Sequence, residues 1–255
     1  MNPRSHLVFF VLLLSFTVAL ALTPQALAQQ AYTQPMFPID WTSTTILVSL
    51  PANPSWAIQP IQQAMQDWNQ AQSWFLESYE PGQPNAKYTL QLAQAGQNPQ
   101  VIVKYVPDTG QNWGGYTYNN GRSISIVISL FYRASDLQIV AAHELGHVLG
   151  LGDSCVKGDL MRGDCNGPFV TTSYPPYPST LNLYGVYLQA VTANQYDSQD
   201  SVSLPPQIPY STWTPGITSI PEFPATLRIL LMSALTLTII LPKRITGGAR
   251  ERLWR

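Results

Sequence analysis

The run His143-Glu144-Leu145-Gly146-His147-Val148-Leu149-Gly150-Leu151-Gly152-Asp153 constrains this chain more than any other feature. Histidines four apart on a helix share one face, so the imidazoles of His143 and His147 can converge on a single metal ion, with Glu144 beside them as the candidate general base. Gly150 supplies the stop. Lacking a Cβ, it can take the left-handed conformation that ends a helix and turns the chain back, which carries Asp153 toward the imidazoles. The chain has only 3 histidines, and His6 lies in a segment expected to be removed, so no third histidine ligand is available. The glutamates after Glu144 are Glu222 and Glu251, both in the C-terminal tail. A carboxylate is therefore the candidate third ligand: Asp153 leads, with Asp159, Asp164, Asp197 and Asp200 as alternatives.

Both ends carry export signals. Met1 to Arg4 form a positive start, residues 7–22 an apolar run, and Ala26-Leu27-Ala28 a small-residue cleavage site, so residues 1–28 are expected to be a signal peptide. Residues 194–220 are rich in Pro, Ser and Thr and are expected to be a linker after a catalytic domain at 29–193. Residues 221–255 then run from Pro221-Glu222-Phe223 through an apolar stretch ending at Leu241 to the basic residues Lys243, Arg244, Arg250, Arg252 and Arg255. That order is a stop-transfer pattern, with the basic end on the cytoplasmic side. Residues 229–241 would reach only about 20 Å as helix against a bilayer core of roughly 30 Å, so a span must include 224–228, with Arg228 reaching outward. The tail also resembles the PEF-type sorting signals of archaeal surface proteins, which implies a sorting enzyme acting at Pro221, Glu222 and Phe223. Either fate puts the domain at the cell surface, anchored in the membrane through its C-terminus. Only 11% of residues are charged and the net charge is -1, so nucleic acid is excluded as a partner.

Between the ends the pattern is that of one mixed domain. Strands are expected at 45–50, 88–92, 101–106, 116–118 and 123–130, the last two joined by a tight turn at Asn119-Asn120-Gly121. A helix is expected at 60–75, with Ile61, Ala64, Met65, Trp68 and Phe75 on its apolar face. The helix carrying the two histidines should start at Ser135-Asp136-Leu137-Gln138, a capping-box pattern, and bury Val140, Leu145 and Val148. A closing helix at 179–191 would present Leu181, Tyr184, Leu188 and Val191 as a stripe. Cys155 and Cys165 are the only cysteines; in an exported chain a disulfide between them is the leading reading, and a Cys155 thiolate on the metal its rival.

The run at 143–153 resembles the metzincin pattern HExxHxxGxxH with aspartate in the last place, a variant similar to that of small bacterial secreted proteases. Met161, in Gly158-Asp159-Leu160-Met161-Arg162, falls where matrixin-like proteases have their Met-turn, and residues 114–116 with 124–128 resemble the strand bordering a matrixin cleft. The resemblance implies an α+β fold: a twisted, mostly parallel sheet with an antiparallel edge strand, an active-site helix and a C-terminal helix. It implies one catalytic zinc on His143, His147 and Asp153, Glu144 as the catalytic base, and hydrolysis of peptide bonds in protein or peptide substrates. Asp108, Asn112 and neighbouring carbonyls are the candidate calcium site. No cysteine precedes the histidine helix, so the family's propeptide latency device is missing or replaced. The alternative is a surface-anchored binding or adhesion module whose metzincin-like domain is not catalytic.

Overall fold

Branched and apolar residues at alternate positions make the strands, and the computed structural model describes residues 32–110, 113–163 and 177–216. Among the described residues seven strands form: β1 (Thr33–Pro35), β2 (Thr45–Ser49), β3 (Thr89–Leu92), β4 (Val101–Val106), β5 (Gly115–Tyr118), β6 (Ser123–Val127) and β7 (Ser201–Ser203). The helices of the described residues are α1 (Ile58–Tyr79), α2 (Ala134–Val148) and α3 (Thr180–Val191). The main sheet has the order β3-β2-β4-β6-β5. Its pairings are parallel except for the last, β5 with β6, where Gly115 opposes Ile126 and Tyr118 opposes Ser123. This is the expected α+β arrangement with an antiparallel edge strand.

The β5–β6 reversal is carried by positive φ at Asn119 (54°), Asn120 (51°) and Gly121 (82°), conformations that asparagine and glycine tolerate. Strand β6 stops at Val127, short of the expected 130, and residues 128–130 form a 3-10 turn. Its last bond to the edge strand runs from Val127 N–H to Gly114 O, and the Phe131 ring then folds over Gly114, where an added Cβ would lie 2.8 Å from Cζ.

Helix α1 is longer than expected, 22 residues, because Leu76 and the residues around it continue its buried face. Its Trp68, fully buried, donates from Nε1 to Ala142 O at 2.8 Å and so ties α1 to the middle of α2. Val140, Leu145 and Val148 of α2 are buried as expected.

Three expectations are corrected. Helix α2 has no capping box: it starts at Ala134, its N-cap is Arg133, and no side chain caps it. The residues of the expected box have other partners, since Gln138 Nε2 donates to Asp67 on α1 at 2.8 Å and Asp136 pairs with Arg133 at 2.9 Å. A capping box does occur on α3, where Ser179 and Asn182 satisfy each other's backbone N–H groups. The stripe on α3 is also misphased: Leu181, Leu183, Val186 and Gln189 face inward, whereas Val191 is exposed.

Residues 194–216, expected as linker, are part of the domain. Strand β7 pairs antiparallel with β1, Thr180 N–H donates to Ser211 O, Trp213 N–H donates to Pro178 O, and Ile208 and Trp213 are buried. The compact unit extends to Gly216. A Pro, Ser and Thr rich composition marks the lack of helix or strand periodicity, but a few large apolar side chains bury an irregular segment as well. The expected signal peptide and tail lie outside the described residues. Among the described residues no helix is long and apolar enough to cross a membrane. Trp213→Ala should cost about 3–5 kcal/mol, the usual loss for deleting a large buried side chain. Thermal or urea unfolding measures this, and an unchanged midpoint would return the segment to the status of a linker.

Candidate active site

Helix α2 ends in a Schellman turn. Gly150, at φ 91°, donates its N–H to His147 O, and Leu151 N–H reaches back to Gly146 O at 3.0 Å. The turn is gripped from outside: Phe37 N–H donates to Gly150 O, and the Gln189 side-chain amide donates to the same carbonyl. A Cβ at residue 150 would lie 2.6 Å from Gln189 Nε2, so the position needs glycine for its space as well as its dihedral.

The reversal places Asp153 against both imidazoles. Its Oδ1 lies 3.2 Å from His143 Nε2 and 3.6 Å from His147 Nε2. Each histidine is oriented from behind by a backbone carbonyl: Nδ1 of His143 lies 2.9 Å from Leu160 O, and Nδ1 of His147 lies 2.7 Å from Leu151 O. A carbonyl can only accept, so both Nδ1 atoms carry a hydrogen, and in the neutral rings both Nε2 atoms turn a lone pair toward the cleft. Two lone pairs and a carboxylate oxygen then converge with no hydrogen of their own to share. That donor set is suited to a cation such as zinc.

Glu144, almost fully buried, stands at the same opening, and its carboxylate with the nitrogens of His143 and His147 lies within 4.8 Å. Its Oε2 accepts a 2.6 Å hydrogen bond from Thr117 Oγ on β5. Gly115, two residues earlier on the same strand face, leaves room for it; a Cβ there would come within 2.6 Å of Glu144 Oε1. The sequence places Gly115 in the run that resembles the cleft border, but it gives neither Gly115 nor Thr117 a part in holding Glu144. The available signal was the period of two on β5, which turns both toward α2 and Tyr116 and Tyr118 away.

Met161 is fully buried directly beneath α2, where a Cβ on Gly146 would overlap its sulfur. Met161, in the position of the expected Met-turn, thus forms an apolar floor beneath the helix. The chain then runs beside Asp153: Ser154 N–H donates to Met161 O, Gly163 N–H donates to Ser154 O, and a Cβ on Gly163 would be 2.5 Å from Asp153 Cγ.

The competing aspartates are placed elsewhere. Asp159 is buried with its carboxylate bonded to Met161 N–H, Asn182, Ser179 and Tyr210. Asp197 and Asp200 bond within their own exposed turn, and Asp164 lies outside the described residues. Of the candidates among the described residues, Asp153 is the one whose oxygen reaches both imidazoles. Cys155 is not in the cluster that could share a cation; no cysteine among the described residues is free, and Cys165 lies outside them. At the candidate calcium position, the Asp108 carboxylate accepts from Gly110 N–H, and Asn112 lies outside the described residues.

The cleft in front has a volume of about 450 Å³. Residues 114–120 form one wall, Phe37 and Trp113 contribute aromatic surface, and His143, Glu144, His147 and Asp153 stand at its base.

Residues 52–167 match the Matrixin family. The matched stretch runs from just before α1 through both histidines, Glu144, Asp153 and Met161. Strand β1, helix α3 and residues 194–216 lie outside the Matrixin match, although β1 and α3 contact the site. No curated protein matches the chain. The Matrixin match and the His143, Glu144, His147 cluster together support a zinc metallopeptidase.

Electrostatics make the convergence measurable. Burial alone would lower the pKa of His143, but the hydrogen bond to Asp153, the charges of Glu144 and Asp153 and the Leu160 carbonyl outweigh it and raise the value from 6.5 to about 9. For Asp153, burial pushes upward, and the hydrogen bond from His143 with the charges of His147 and His143 brings the carboxyl below its usual range. A proton can thus stand in for the cation. A folded-state pKa raised above the unfolded one stabilises fully below the unfolded value and is lost as pH rises through the folded value. Protein stripped of metal should therefore be most favoured below pH 6.5 and lose stability on the way to about 9. The loss should be on the order of 2 kcal/mol, discounted because Asp153 is half-exposed. Thermal unfolding across this range tests it; a flat profile in stripped protein would contradict the pairing.

Proposed function

We propose that the protein is an exported zinc-dependent endopeptidase that hydrolyses peptide bonds in protein or peptide substrates. The observation that carries this reading is the convergence of His143 Nε2, His147 Nε2 and Asp153 Oδ1 beside a buried carboxylate. These three side chains would hold the ion; when bound, zinc supplies a Lewis acid and an activated water. Glu144 takes the proton of the attacking water and passes it to the amine of the leaving strand. Thr117 holds Oε2 of that carboxylate, which leaves Oε1 to meet the water.

Strand β5 closes one end of the main sheet. An extended substrate can add to its outer edge through backbone hydrogen bonds, while side-chain pockets set preference. A binding or adhesion module would need zinc or a fold but no buried base at the mouth of the cleft, and Glu144 with its Thr117 partner favours catalysis. The signal peptide at 1–28, surface anchoring through 221–255, processing at Pro221, Glu222 and Phe223, and a Cys155–Cys165 disulfide belong to the same proposal. They are supported by the sequence pattern of an exported chain.

The purified protein should contain zinc near one per chain and cleave a mixed library of quenched peptides. Glu144→Ala should abolish cleavage and keep the zinc, whereas Asp153→Ala should weaken zinc binding; normal zinc retention in the second variant would reject Asp153 as a ligand. Thr117→Val should lower kcat on the order of ten-fold with KM and zinc content unchanged, and Thr117→Ser should restore it. Zinc without cleavage in the unaltered protein would favour the binding module.

A further inference from the structure

Each histidine of the site is held by a single peptide plane gripped at both ends. The plane after Leu151 accepts from His147 through Leu151 O, and its N–H end, at Gly152, donates to Pro35 O of β1 at 2.7 Å. The plane after Leu160 accepts from His143 through Leu160 O, and its N–H end, at Met161, donates to Asp159 Oδ1 at 2.8 Å. A trans peptide is rigid, so holding its N–H fixes the direction of its carbonyl. The orientation of His143 therefore passes through the Asp159 carboxylate.

That carboxylate is in turn held by elements outside the Matrixin match. Asn182, in the α3 capping box, donates to Asp159 Oδ1 at 2.8 Å, and Ser179 Oγ donates to Oδ2 at 2.6 Å. Tyr210, from the segment after α3, donates its hydroxyl to Oδ2 at 3.0 Å. The second amide hydrogen of Asn182 goes to Gln34 Oε1, and Gln34 Nε2 donates to Pro35 O at 2.9 Å, the carbonyl that also accepts from Gly152 N–H, so the two gripped planes are joined through one chain of hydrogen bonds. Gln34, Asp159, Ser179 and Asn182 are each no more than 1% exposed.

We propose that Asp159 is a positioning residue for the metal site, and that residues 204–216 act as a strap whose Tyr210 keeps it in place, so that affinity for zinc depends on a segment remote in sequence from every ligand. This rests on the reading of His143 as a zinc ligand. Loss of such outer partners commonly weakens metal binding about 10- to 100-fold.

Zinc affinity of the full-length protein, measured by competition with a chromophoric chelator, and the thermal midpoint with and without zinc separate this role from a merely structural one. Asp159→Ala should raise the zinc Kd at least about ten-fold and shrink the zinc-induced rise in midpoint. Tyr210→Phe, which removes one hydroxyl and should fold, should raise Kd several-fold in the same direction. Ile208→Val, in the same strap but without a bond to Asp159, should lower the midpoint and leave Kd unchanged. If Tyr210→Phe, and Asp159→Ala where it folds, bind zinc within about two-fold of the unaltered protein while their midpoints fall, the strap is structural only and the proposal is overturned. If the unaltered protein binds no zinc, the reading of His143 as a ligand fails first, and the proposal with it.

Discussion

Two imidazole lone pairs and a carboxylate oxygen meeting in one small space form the constraint on which the rest of the structure depends. Such a set repels itself unless a proton or a cation lies within it, so the fold must supply the force that holds it together. It does so from behind the rings, by giving each Nδ1–H a backbone carbonyl. The Schellman turn at Gly150 provides one of these carbonyls and the turn before Met161 the other. Both turns are bonded to β1 or α3, which explains why a domain with its ligands on one helix and one loop still needs the N-terminal strand and the residues after α3.

Space is the second requirement, and it is met by missing side-chain atoms. Gly115 admits Glu144, Gly146 admits Met161, and Gly163 admits Asp153. In each case the partner is a functional side chain or the floor beneath it. The base, the floor and the third ligand are therefore fitted against backbone, which limits their rotamers and holds the site at the geometry its chemistry needs. Thr117 completes the fit by donating to Oε2 of Glu144 from the same strand as Gly115.

Much of this could be read in the sequence, for identifiable reasons. The histidine spacing, the helix-ending glycine and the aspartate are local features, and local geometry carried them to the site. The reversal between β5 and β6 was legible because Asn119, Asn120 and Gly121 mark a tight turn, whereas the parallel order of the other strands came only with the metzincin resemblance. The start of α2 was misread because Ser135 and Gln138 have capping chemistry, while Gln138 is drawn instead to Asp67 across the helix interface. The domain boundary was misread because Ile208, Trp213 and Tyr210 are spaced too irregularly to show a period. Thr117 and Asp159 escaped for a common cause: each acts through a contact between elements far apart in the chain, and neither belongs to a spacing pattern. In the sequence Asp159 reads only as a rival ligand, although in the fold its oxygens are both committed to the scaffold.

X-ray absorption at the zinc edge tests the central claim most directly, since it reports the atoms around the ion. The purified protein should show a first shell of nitrogen and oxygen only, at about 2.0–2.2 Å, including two imidazoles. A sulfur contribution near roughly 2.3 Å, a third imidazole, or no retained zinc in folded protein would contradict the site built from His143, His147 and Asp153.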